Sequence, residues 1–400
     1  MRRLLVKVSL IALSVLIGYI IAECGYRVYH YTRLRAQNSN GYPFYYIETP
    51  LYSFDSEIGY RYNPNLNQSF MQFDADNNLL RSNNVRTNNL GHISPNDDSI
   101  EKPDSEFRVA VLGDSLTASL SNDIPWPSIL EQMLNADDAL KSSLGVSKFK
   151  VINFGMDGTG VVQFSKVYDA EARRFNPDAV IINFITDDIK RKFIWRAVTK
   201  LNPEVSTLLI CTSLPVEINN RNCVLAPQIS FDRRLLDNKN EVARIKRDIY
   251  NERVKTLPWF SLYPELLARA IGSKIGLQTR LNLEARLTPY FDSDEQAIRE
   301  SLGSLQKIRA EHPKVLILHI PLHEELPSDN LPQFADELAK RDNSLEIVPM
   351  AKFLPKAGGD EIKSWFNLPF DGHFSNKGAE IYARAVYERF REYLSGVKVK

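Results

Sequence analysis

The chain has 400 residues, 44% of them hydrophobic and 25% charged, enough for one large domain with a substantial core, or for a domain with an accessory segment. That balance argues against disorder as the main state. With 50 basic and 49 acidic residues the formal net charge is +1, so no summed positive field exists to hold a phosphate backbone, which excludes nucleic acid as a partner.

The first 25 residues stand apart. Arg2, Arg3 and Lys7 precede an uncharged, mostly apolar stretch from Val8 to Ala22. With Leu4 to Val6 added and Lys7 free to snorkel, it reaches the roughly 20 residues that a bilayer-spanning helix needs. An uncleaved transmembrane anchor over residues 1–25 is expected, since Ile20-Ile21-Ala22-Glu23-Cys24-Gly25 lacks the small-x-small pattern of a signal-peptide cleavage site. Arg27, Arg33 and Arg35 follow the span, so the Lys/Arg balance leaves the orientation open.

Residues 26–104 form an N-terminal extension, polar and rich in turn residues, with aromatics scattered through NGYPFYYIETPLYSFDSEIGYRYNPN. This composition predicts loops and short hairpins packed on something larger.

From residue 105 the texture becomes apolar strands alternating with amphipathic helices. FRVAVLGDS reads as a strand into a turn, SILEQMLN as a helix and KFKVINFG as a second strand. QFSKVYDAEARRF is a helix stopped by Asn176-Pro177, and DAVIINFI a third strand. Continuous apolarity in these strands predicts burial on both faces, hence a parallel sheet covered by helices in an α/β fold.

Residues 190–310 break the rhythm and read as an insertion, with scattered prolines and the charged helix NKNEVARIKRDIYNERVK. It also carries Cys211 and Cys223, for which a disulfide in an exported domain and two free thiols are both open. The alternation returns with helix DEQAIRESLGSLQKIRAEH, strand KVLILHIP, helix LPQFADELAKRD, short strand LEIVPM and terminal helix SNKGAEIYARAVYERFREYL.

VAVLGDSLTAS puts Ser115 directly after a buried strand, at the carboxyl edge of the sheet, where open α/β folds bind ligands. Gly113 allows the sharp turn. The nucleophile-elbow pattern G-x-S-x-G is absent. Metal is not expected: no Cys/His cluster suggests zinc, and Pro321 between His319 and His323 keeps those two off one helical face.

VLGDSLTAS resembles the opening block of the SGNH or GDSL hydrolases, a flavodoxin-like family of esterases, lipases, acylhydrolases and carbohydrate deacetylases or acetyltransferases. The resemblance implies a flavodoxin-like three-layer α/β/α domain over residues 105–400, with Ser115 as nucleophile and its backbone N–H as an oxyanion donor. VINFGMDGTG is similar to the second block, which implies a second backbone donor at Gly158 with Asn153 and Gly155 shaping the loop. FDGHFSNKGAEIYA is similar to the last block and implies Asp371 as the orienting acid and His373 as the general base, here spaced Asp-x-His. In the third block the family carries Gly-x-Asn-Asp, whereas FITDDIKR places Asp187 at the position of the oxyanion asparagine, followed by Asp188.

A carboxylate accepts and does not donate, so the hole keeps two backbone donors. A slower enzyme, a protonated Asp187, a substitute donor or a non-catalytic binding protein each accommodate this. Bland readings also exist: Asp371 and His373 as caps of the terminal helix, and Asp187 with Asp188 as a solvated pair.

FDSEIGYRYNPN and VRTNNLGHIS resemble lead-in segments of membrane-anchored bacterial members. A single-pass protein of the cytoplasmic membrane is therefore expected, its domain on the extracytoplasmic side, acting without cofactor on a small-molecule, lipid or glycan ester. An O-acyltransferase using the same residues and a catalytically impaired glycan- or partner-binding protein are the alternatives. Oligomeric state is open.

Overall fold

The structure is a computed structural model that describes residues 2–37, 44–74, 76–218, 220, 222–255, 290–368 and 371–396. Part of the insertion, 256–289, with prolines 258, 264 and 289, lies outside the described residues. The chain opens with one helix, Arg2–Gln37. Within it Val6–Gly25, of mean hydropathy 2.0, is long and apolar enough to cross a membrane. Its apolar side chains, Ile11 and Ile21 among them, are exposed.

Five strands come next: β1 (Phe44–Ile47), β2 (Tyr52–Asp55), β3 (Gly59–Tyr62), β4 (Asn67–Phe73) and β5 (Leu79–Arg86). The β2–β3 pair is an antiparallel hairpin. Then come β6 (Glu106–Gly113), β7 (Lys148–Gly155) and β8 (Ala179–Phe184), followed by β9 (Trp195–Lys200), β10 (Ser206–Cys211) and β11 (Cys223–Ser230). The last strands are β12 (Val315–His319) and β13 (Ile347–Pro349).

The central sheet has the order β13-β12-β8-β6-β7 with every pair parallel, the doubly wound arrangement of flavodoxin-like folds. Every residue of β6 and β8 is buried, as continuous apolarity requires when helices cover both faces. The strand period of two sends Val109 and Val111 to one face, where Trp126, Leu130, Tyr382 and Phe390 of helices Trp126–Ala136 and Asn376–Leu394 pack on them. Ala110 and Leu112 go to the other, against helices Val161–Ala170 and Asp294–Glu311. Each fully buried Val, Ile or Leu here contributes roughly 1.5–3 kcal/mol. The order of winding reverses at β6, whose neighbours are β7 on one side and β8 on the other, so the ligand crevice of this topology lies at the carboxyl ends of those three strands.

The extension is more strand-rich than its turn residues suggested. β1, β4 and β5 join β9–β11 in a six-stranded sheet of order β5-β4-β1-β11-β10-β9, in which only the β1–β11 pair is parallel. Val242, Ile245 and Ile249 of helix Lys239–Lys255 cover it against Phe44, Tyr46 and Leu225, so this charged helix is solvated on one face only. Cys211 and Cys223 face each other across β10 and β11 and form a disulfide. On its inner side the extension shares a core with the α/β layers, Ile47, Leu51, Tyr60 and Ile93 packing with Leu112, Ile152 and Phe164.

Candidate active site

Ser115 is delivered by an abrupt end to β6. A Cβ on Gly113 would lie 2.1 Å from Thr117 Oγ1 and 2.8 Å from the Asn183 carbonyl oxygen, so only glycine permits the approach. The buried Asp114 then caps the short helix Ser115–Ala118, its carboxylate accepting the Leu116 N–H at 3.0 Å. Ser115 stands at the first position of that turn, at the carboxyl edge of the sheet.

The segment carrying Asp371 and His373 precedes the terminal helix, where Ser375 Oγ accepts the Gly378 N–H at 3.2 Å as the cap. It is stitched to the serine side: Asn122 Nδ2 donates to the Phe374 carbonyl at 2.9 Å, and the Asp123 N–H to Asn376 Oδ1 at 3.1 Å. His373 Nε2 thereby comes 2.8 Å from Ser115 Oγ. The other ring nitrogen, Nδ1, hydrogen-bonds Asp371 Oδ1, which also accepts the His373 backbone N–H at 3.1 Å. The helix cap is thus Ser375, and Asp371 faces the imidazole.

Electrostatics reinforce this pairing. Burial disfavours the Asp371 carboxylate, but the His373 charge and hydrogen bonds, with Arg81, outweigh it and hold the pKa at about 2. Burial also disfavours a charged His373, yet Asp371, Asp157 and Asp114 together raise it above its ordinary value of 6.5.

At the end of β7, Asn153 accepts the Gly155 N–H at 2.9 Å and donates to the Ile93 carbonyl at 3.1 Å, shaping the turn that follows. Gly158 follows with φ of +73°, and a Cβ there would lie 2.3 Å from Arg196 Nη2. The loop is clamped through Asp157, which pairs with Arg196 of β9 at 2.7 Å and accepts the Tyr52 hydroxyl at 3.0 Å. Tyr60 donates to the Asp157 carbonyl at 2.8 Å, and the Asp157 N–H donates to the Tyr62 hydroxyl at 2.9 Å. The Arg196 guanidinium sits 5.2 and 5.0 Å from the Tyr52 and Tyr60 ring centres. The only sequence signal for this clamp was the spacing of tyrosines in LYSFDSEIGYRYN.

Asp187 lies on the short helix Thr186–Lys190 after β8, about a third exposed. Its Oδ2 accepts the Tyr290 hydroxyl and Arg191 Nη2, the latter at 3.1 Å. Asp188 is fully buried and accepts the Ile185 N–H at 3.0 Å, so the two acids are not a solvated pair. Burial and the neighbouring Asp114 push the Asp188 pKa well up, with Arg191 opposing. Arg191 Nη1 also donates to Asp188 and, at 3.3 Å, to the Thr159 carbonyl, linking the Asp187 turn to the Gly158 loop. His319 and His323 have separate partners, Thr186 at 2.9 Å and Glu324 at 2.7 Å.

A hydroxyl against one imidazole nitrogen, with a carboxylate on the other, is a layout in which the serine proton can leave as its oxygen attacks a carbonyl. Residues 109–229 match the family model described as GDSL-like Lipase/Acylhydrolase, a span that takes in Ser115, Gly158 and Asp187 and ends before Asp371 and His373. No curated protein matches the chain.

Solved structures similar to it include a two-domain esterase active on acetylated mannans, at 13% identity and a TM-score of 0.36, covering 74% of this chain and 51% of that one. Another is the lipase/acylhydrolase from Enterococcus faecalis, at 14% identity and a TM-score of 0.25, covering 71% of this chain and 95% of that one. The chain spans about half the length of the two-domain esterase. The matched segment, residues 109–229, is similar to GDSL-like lipase/acylhydrolases and lies within a helix-covered parallel α/β fold.

Proposed function

We propose that this chain is a membrane-tethered serine esterase in which Ser115 is the nucleophile, His373 the general base and Asp371 its orienting acid. The observation that carries the reading is the unbroken hydrogen-bond line from Ser115 Oγ through His373 to Asp371. Neutral His373 takes the Ser115 proton at Nε2 as Oγ attacks the ester carbonyl, while Nδ1–H stays on Asp371 and fixes the tautomer. The N–H groups of Ser115 and Gly158 hold the oxyanion of the tetrahedral intermediate. Imidazolium then protonates the departing alcohol, and water activated by the same base cleaves the acyl-enzyme.

The helix at the N-terminus is the tether, and the Cys211–Cys223 disulfide supports a domain on the oxidising, extracytoplasmic side of the cytoplasmic membrane. Residues 105–400 carry the catalytic layers. The extension, 26–104, and the insertion, 190–310, build the second sheet beside the site. A surface tether suits an O-acyl ester of an envelope glycan or lipid as substrate.

Fluorophosphonate labelling of the full chain tests the reading: wild type takes the probe and Ser115→Ala does not. An unlabelled wild type would overturn it in favour of a binding protein. Release of free acyl product, against its transfer to an added glycan hydroxyl, separates hydrolysis from acyl transfer.

A further inference from the structure

We infer that Arg81 is a positioning residue for this site: a guanidinium lent by the second sheet that locks Asp371 against His373 and tunes the pH at which that imidazole takes up its proton. The inference rests on the triad reading above.

β5 is the edge strand of the six-stranded sheet and lies across the segment that follows the serine turn. Strand alternation puts Arg81 and Asn83 on the same face. Asn83 Nδ2 donates to the Leu120 carbonyl at 2.6 Å, which fixes the strand there. One step along, Arg81 Nη2 reaches both Ser121 Oγ and Asp371 Oδ2, each at 3.0 Å. The two Asp371 oxygens are therefore divided, Oδ1 to the His373 ring and backbone N–H and Oδ2 to Arg81, so the carboxylate cannot rotate without breaking bonds on both sides.

Among the described residues Arg81 Nε and Nη1 have no hydrogen-bond partner, so the polar contacts of this guanidinium are those of Nη2 with Ser121 and Asp371.

The groups around His373 share one pattern. Three carboxylates act on its charge, Asp371, Asp157 and Asp114, and each has an arginine within 4 Å, the one beside Asp114 being shared with Asp187 and Asp188. Arg196 pairs with Asp157 at 2.7 Å, Arg191 lies 3.7 Å from Asp114, and Arg81 lies 3.0 Å from Asp371. Tyr45, close enough to feel Asp371, Asp157 and Arg81, stays protonated because burial raises its pKa far above neutrality. Without Arg81, the carboxylate nearest the imidazole would lose its counter-charge, and the imidazolium would be favoured.

The test is made on the full chain in detergent, with His373 followed by NMR titration of labelled histidine, assigned through His373→Gln, and with p-nitrophenyl acetate kinetics alongside. Arg81→Met is expected to raise the His373 pKa by about half a unit to one unit, and to lower kcat about 10- to 100-fold with KM changed less than about threefold. Arg81→Lys keeps the charge but not the fork, so it is expected to return the pKa to within about 0.2 unit of wild type while kcat stays about 3- to 10-fold low.

An unchanged His373 pKa in Arg81→Met overturns the inference, as does an Arg81→Lys pKa equal to that of Arg81→Met. The lysine variant decides the matter should Arg81→Met not fold, because a pKa shifted upward by more than about half a unit despite the retained charge would overturn it too. Since the titration does not depend on turnover, a wild type that fails to label with fluorophosphonate sinks the esterase reading separately.

Discussion

His373 Nε2 lies 2.8 Å from Ser115 Oγ although 258 positions separate the two residues. Two different elements bring them together: a strand ending on Gly113, and the loop that leads into the terminal helix. Neither residue is held by the other alone, because Asp114 caps the serine turn and Asp371 grips the histidine from behind.

Groups acting as a unit lose their effect together. Ser115→Ala or His373→Ala is expected to lower kcat on a p-nitrophenyl ester by about 10⁴-fold or more, and the double variant by no more than the worse single one. Additive losses in that comparison would mean the two side chains act in separate steps.

The pH profile follows from the His373 shift. In its proposed role as base His373 works only when neutral, and its pKa is raised above 6.5 by Asp371 and the two further carboxylates against the effect of burial. Activity should therefore fall on acidification through a midpoint above pH 6.5, and hold its plateau toward pH 9. Asp371→Asn removes the largest favourable influence, so the midpoint should move to lower pH while kcat drops about 10⁴-fold, since the tautomer is no longer held. A kcat/KM titration from pH 5 to 9 reads both.

Asp187→Asn tests the departure in the third motif. By the sequence resemblance this is the position of a side-chain donor, and an amide there would still accept from Tyr290 and Arg191 while offering an N–H. One oxyanion donor is worth about 10²- to 10³-fold in rate, so even a poorly aligned one should raise kcat about 10-fold at similar KM. A fall in kcat would show that Arg191 needs the negative charge more than the oxyanion needs the donor.

Gly158→Ala addresses the proposed second donor. The position has φ of +73°, which costs a residue with a Cβ about 1–2 kcal/mol, and the new methyl would meet Arg196 Nη2. Arg196 cannot withdraw freely, being buried and paired with Asp157. Thermal unfolding should drop by a few degrees, and kcat should fall at least about 10-fold as the loop shifts. A normal melting point with normal kcat would argue that the Gly158 N–H takes no part.

Some of this molecule is legible because its causes are local. Continuous burial of β6 and β8 follows from runs such as VAVL and AVIINF, whose side chains have no polar face to offer. Asn176, with φ of +47°, stops its helix as Asn-Pro chemistry predicts. The extension is less legible: FYYI is a short strand with one partner far along the chain, β1 pairing in parallel with β11 some 180 positions on. Nothing in four residues encodes that register, because strand pairing is a long-range choice made by the cores on either side.

From its amino acids alone the chain was bound to make a helix-covered parallel sheet and to end β6 in a serine turn, since period, apolarity and turn chemistry act within a few residues. Which cation meets which anion was decided by tertiary structure. With 50 basic and 49 acidic residues, no spacing rule assigns Arg81 to Asp371, Arg191 to Asp114 or Arg196 to Asp157. Arg81–Asp371 and Arg196–Asp157 exist because a second sheet, assembled from two distant stretches of chain, is laid over the carboxyl edge of the first, and Arg191–Asp114 because the turn after β8 comes up beside the end of β6; charge attraction is specific only once burial has fixed the distance.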